Sequence, residues 1–266
     1  MPTTPKLHND PLSLVLCQIR FSRVRKMADF IPAIQDRLRR NGFPSDVSGM
    51  LQQILLTAAG PQTHQTKQDE FRSADNTWSI AVGEDMLVLI TSNYDRFAGF
   101  AAKLRLALEA VDASAELRHG LVSRIGLRYV DVIEPQAGET HCDYLQQNLH
   151  GPKSAVFTDG QLVHLESAGR TQIGTMILRI TQNNQGMLIP PDMVLKPMRH
   201  KQTPTPGKLI TLIDTDHFVE GEWPYNLNTI IDTVDHLHRG INTAFFRDTI
   251  TRHAKITWKA EDHASN

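Results

Sequence analysis

Two arginines sit at the centre of apolar, strand-like triplets, Ile19-Arg20-Phe21 and Leu127-Arg128-Tyr129, and Arg23, Arg25 and Arg124 lie within a few residues of them. A guanidinium fork that projects from the polar side of a sheet can grip a phosphate or a carboxylate through parallel hydrogen bonds. These five arginines are therefore the candidate anion- or partner-binding residues. The same pattern arises when an arginine bridges a structural carboxylate, for which Asp131 and Glu134 are the near choices in sequence. Residues 1 to 45 hold Lys6, Arg20, Arg23, Arg25, Lys26, Arg37, Arg39 and Arg40 against Asp10, Asp29 and Asp36, a local excess of five positive charges. Over the whole chain, 28 Lys plus Arg face 29 Asp plus Glu, so the formal charge of -1 creates no molecule-wide attraction for nucleic acid or anionic membrane. An aromatic fraction of 6% also supplies few platforms on which unpaired bases could stack.

Other chemistry-bearing residues do not form a working set. Asp214, Asp216 and His217 cluster, as do Asp232, Asp235, His236 and His238, but the two histidines of the second group are two apart and leave a helix in different directions. Asp214 and Asp216 read as caps of a turn or of the following helix. His141 adjoins Cys142, yet sequence adjacency does not bring two side chains face to face. The chain lacks a Gly-x-Ser-x-Gly elbow and a glycine-rich phosphate loop. The reading therefore assigns no catalytic residue, no metal and no cofactor, and it leans away from an enzyme. Cys17 and Cys142, 125 positions apart, read as reduced thiols.

The elements that must carry these residues follow from periodicity. Val15, Cys17, Ile19 and Phe21 alternate with Leu16, Gln18, Arg20 and Ser22, which predicts a strand with one buried face. Phe30, Ile34 and Leu38 predict a helix over about 29–40, and Phe97, Phe100, Leu104, Leu108 and Val111 a second one from Asp95. Between them, residues 48–60 read as a strand running into a polar loop at 61–69, followed by strands at 71–73, 78–82 and 86–91. The second half opens with a strand at 122–132. A helical patch follows at 144–149, then strands near 156–164, 175–181 and 209–213, and last a helix over about 226–247. Pro190, Pro191, Pro197, Pro204 and Pro206 exclude a central strand or helix interior from 190–207.

The order of elements repeats, which predicts an α+β protein built from a duplicated β-α-β(3–4)-α unit. Residues 1–115 form the first copy and 116–266 the second, with a Pro-rich insertion at 190–207. Two such units would give a long, mostly antiparallel sheet with helices on one face, similar in outline to the saddle of TATA-box-binding proteins. That likeness of outline carries no function.

Pro11-Leu-Ser-Leu-Val-Leu-Cys-Gln-Ile-Arg-Phe21, Arg124-Ile-Gly-Leu-Arg-Tyr-Val130, Asp214-Thr-Asp216 and Leu237-His-Arg-Gly-Ile-Asn-Thr-Ala-Phe245 span nearly the whole chain in this order. Together they resemble a sporadically distributed family of uncharacterised prokaryotic proteins, from which the chain departs at Val130-Asp131, where the pattern has Ile-Asn. The resemblance implies no activity and carries over no catalytic residue; the patchy distribution implies accessory or defence genes. The apolar runs at 12–17 and 86–90 fall short of the roughly 20 residues of a membrane span, and the first residues lack a leader pattern. The expectation is thus a cytoplasmic, non-enzymatic interaction module with a protein partner or a second copy of itself. The alternative is a nucleic-acid-binding protein that uses the basic N-terminal region and the Arg-lined sheet face.

Overall fold

The computed structural model describes residues 7–57, 60–152, 156, 162–190, 192–193 and 198–260. In chain order the elements are β1 (Leu12–Phe21), α1 (Met27–Arg40), β2 (Ser45–Asp46), β3 (Gly49–Thr57), β4 (Gly60–Arg72), β5 (Trp78–Val82), β6 (Met86–Thr91) and α2 (Phe97–Ala115). Then follow β7 (Leu121–Ile133), α3 (His141–Tyr144), β8 (His164–Arg170), β9 (Thr175–Asn183), β10 (Ile210–Pro224), α4 (Leu227–Thr243), a π turn (Ala244–Thr249) and α5 (Arg252–Thr257). The fold is α+β. Its antiparallel sheet runs β2-β4-β5-β6-β1-β7-β10-β9-β8, with β3 paired to β4 beside this path. No helix among the described residues is long and apolar enough to cross a membrane.

Strand alternation divides the sheet into two unlike faces. Val15, Cys17, Ile19 and Phe21 of β1 and Ile125, Leu127 and Tyr129 of β7 pack with Ile34 and Leu38 of α1, Phe100 and Leu104 of α2 and Val234 and Leu237 of α4 in the main core. Each fully buried side chain of this kind contributes about 1.5–3 kcal/mol through removal from water. Among the described residues, the opposite face carries no helix. One end of it is covered by the Pro-rich segment: Met193 and Met198 pack on Leu14, Val88, Ile90 and Val130, while Leu188 packs on Val132, Ile210 and Leu212. The segment is pinned by Arg199 N–H to Asn76 O (3.0 Å), Lys201 Nζ to Tyr94 O (2.9 Å) and Gln202 Nε2 to Pro11 O (2.9 Å).

Three expectations need correction. Residues 61–69 are strand and not loop, because β4 is 13 residues long and its 60–68 part pairs with β3 alone. A two-stranded arm that no second neighbour flanks needs no apolar alternation. β10 extends to Pro224, well beyond 213, so Asp214 and Asp216 lie in mid-strand opposite Val130 and Arg128 and cap nothing. The closing helix ends at Thr243, and the chain continues through the π turn and α5. Asn226 caps α4 by accepting from Thr229 N–H at 3.0 Å. The expected strand near 156–164 falls largely outside the described residues. The described part of the Pro-rich segment contains neither strand nor helix.

Candidate binding face

Residues directly opposite each other in a ladder share a face, so the register decides which charges meet. β1 and β7 pair with Arg20 opposite Arg124, Gln18 opposite Gly126 and Leu16 opposite Arg128; β7 and β10 pair with Arg124 opposite Glu220, Gly126 opposite Phe218 and Arg128 opposite Asp216. All of these project from the helix-free face. Beyond the Pro-rich segment that face opens into a trough of about 940 Å3, floored by apolar side chains that include Leu16, Val88, Ile90 and Met193.

The arginines in and beside the trough have unequal surroundings. Arg128 donates to Asp214 Oδ1 (2.6 Å, from Nε) and Oδ2 (2.7 Å, from Nη2) and, through Nη1 and the same Nη2, to both oxygens of Asp192 (2.8 and 2.9 Å). Asp214 also accepts from Arg179 (3.2 Å), which reaches Glu166 at 2.6 Å. Burial would lower the Arg128 pKa, but the bonds to Asp214 and Asp192 raise it above the ordinary arginine value. Asp192, which burial pushes up, is held below the usual carboxylate range by Arg128.

Arg124 lies flat across the sheet. Gly126 separates Gln18 from Phe218 in the cross-strand row, and the guanidinium fills the gap, donating to Gln18 Oε1 (3.0 Å) and Asp216 (3.3 Å) and stacking 4.4 Å from the Phe218 ring centroid. A Cβ at position 126 would stand 2.4 Å from Arg124 Nη1. Burial raises the Asp216 pKa, and the nearby Arg124 opposes that rise.

Arg23 pairs with Glu84 at the rim. Arg20 is exposed and, among the described residues, makes no ion pair; Arg25 lies on the exposed turn before α1. Arg39 and Arg40 do not join this patch: they bridge Asp36 on α1, in the layer behind the sheet. Six carboxylates and four guanidiniums line the trough, so its charge is net negative.

The carboxylates proposed from sequence as Arg partners are not the ones used. Asp131 follows Val130 and faces the helices, while Glu134 accepts from Thr205 and Lys208. The real partners, Asp192 and Asp214, are 64 and 86 positions from Arg128, and no local pattern points to them. His217 is buried in β10, accepting from Thr171 or donating to it at 2.9 Å and donating to Leu237 O at 3.0 Å. It sits so near α4 that a Cβ on Gly240 would be 2.6 Å from the ring. His141 Nε2 and Cys142 Sγ do meet, at 3.6 Å, with the His150 ring as edge neighbour. Cys17 is a core thiol whose pKa burial pushes up.

Comparison with known families, with characterised proteins and with solved structures finds no match to this chain.

Proposed function

We propose that the protein is a non-enzymatic interaction module whose helix-free trough receives an extended segment of a partner protein, one carrying Lys or Arg side chains between apolar residues. The observation that carries this reading is the charge and floor of the trough: its arginines are largely spent on its own carboxylates, leaving an excess of negative charge over an apolar base. Phosphate would be repelled from such a lining, whereas a basic side chain would find Asp216, Glu220 or Asp85. The chain's own Pro-rich segment supports the kind of occupant, since it lies as non-helical, non-strand polypeptide on the same face and buries methionines there. A further support for an interaction surface is the order of strands, which runs β6, β5, β4 outward from β1 and β10, β9, β8 outward from β7. We read this as two copies of one unit in a saddle of TATA-box-binding-protein outline, whose helix-free side is free to take a partner.

A display selection of random 12-residue peptides against the purified protein tests the reading. Enrichment of basic and apolar sequences that lose binding to Asp216→Lys supports it. Enrichment of acidic sequences, or retention of binding by that variant, contradicts it.

A further inference from the structure

Behind the sheet, where the N-terminal segment, the start of α2, β7 and the end of α4 meet, lies a separate cavity of about 260 Å3. Asp131 lines it, is 5% exposed, and has no hydrogen-bond donor among the described residues. A second carboxylate, Asp10, lines the same cavity and acts on Asp131 electrostatically. An uncompensated carboxylate in such a place costs several kcal/mol unless it is neutralised or paired.

The walls are largely aromatic, and Asp95 and Arg96, just before α2, also line the cavity. Tyr94 and Tyr129 meet edge to face at 5.5 Å, Phe97 stacks on His238 at 4.2 Å, and the π turn contributes Phe245 and Phe246. A directed hydrogen-bond chain runs through this lining. Asn242 Nδ2 donates to His238 Nε2 (2.9 Å), which leaves Nδ1–H to donate to the Tyr129 hydroxyl (2.8 Å), and Tyr129 donates to Tyr94 (3.0 Å). Burial keeps His238 neutral, with its pKa down at about 4, so the chain is held in one direction and the Tyr94 proton remains to be given.

We propose that this cavity binds a small organic cation, an alkylammonium compound of amino-acid size, with Asp131 taking the ammonium group and the aromatic rings flanking its carbon chain. Asp10, Asp95 and Asp131 outnumber the single guanidinium of Arg96 in the lining, and carboxylates and ring faces both favour a cation; the volume lies just below the range of about 300–1,000 Å3 that drug-sized ligands occupy. The site is independent of the trough, which lies on the other side of the sheet.

Isothermal titration with n-butylammonium, 1-butanol and butyrate tests the proposal. Butylammonium should bind at least tenfold more tightly than butanol, butyrate should not bind, and the heat should change with buffer ionisation as Asp131 gives up a proton. Asp131→Asn should abolish the preference for the ammonium yet melt no lower than the parent, since it replaces a buried, neutral carboxyl that has no hydrogen-bond donor among the described residues. Equal affinity for amine and alcohol, no binding of the amine, or a preference that survives Asp131→Asn would each overturn it.

Discussion

At the scale of single residues, Arg20 and Arg128 occupy matching sequence triplets but do different work. Arg128 makes the two shorter contacts to Asp214, which is 2% exposed, and its removal leaves that buried carboxylate with Arg179 as its remaining ion-pair partner. Arg128→Leu should therefore lower stability by about 1.5–3 kcal/mol, while Arg20→Ala should change it by less than about 0.5 kcal/mol, as chemical denaturation will measure. Gly126→Val should displace the Arg124 guanidinium from Gln18 and Asp216 at little cost to the fold, because the atom in the way is the end of a flexible side chain. Its effect should show in peptide affinity more than in melting temperature. His238 gives a pH signature. Its folded pKa of about 4 lies below the ordinary value of 6.5, so its contribution is fully present above about pH 6.5 and is lost as pH falls towards 4. Relative to His238→Gln, the stability of the parent should rise by about 1.4 kcal/mol per pH unit across that window and level off above it. Asp131, raised by burial and by Asp10, has the opposite sign, its contribution falling as pH rises.

At the scale of elements, β1, β7, α1 and α2 were legible in the sequence from the apolar stripe each presents to the main core, and β5 and β6 from short apolar runs that are buried on both faces. β10 was only half legible. Its stretch Asp214-Thr-Asp-His217 looks like a cap, but in the sheet those polar groups are satisfied by Arg128, Arg179, Thr171 and the α4 backbone, none of them close in sequence. The arm of β4 was missed for a related reason: its run Gln62-Thr-His-Gln-Thr-Lys-Gln68, which pairs with β3, has no apolar alternation to advertise. Of the candidate site, the positions of Arg124 and Arg128 on the polar face could be read from alternation, whereas their partners could not, since Asp192 lies in a segment with no periodicity of its own. The Pro-rich segment is held by side chains such as Met193 and Met198 and by a few hydrogen bonds, so Met198→Asp should release it and hasten proteolysis between 185 and 207 while β1 to β7 remain protected.

At the scale of the whole molecule, the two halves share one sheet and one main core. β1 pairs with β7 over most of its length, and α2 packs against α4. Residues 1–115 and 116–266 expressed separately should each expose the β1 or β7 edge and fail to unfold cooperatively, and mixing them should restore a cooperative transition. The proposed partner site is the face turned away from the helices, and the central claim is that its occupant is basic polypeptide. Fluorescence polarisation with a labelled basic and apolar 12-residue peptide, beside a labelled oligonucleotide at low and moderate salt, tests that claim most directly. The account predicts saturable peptide binding that Asp216→Lys abolishes, with no comparable oligonucleotide binding. Tight oligonucleotide binding with a steep salt dependence, lost on Arg20→Glu, would contradict it.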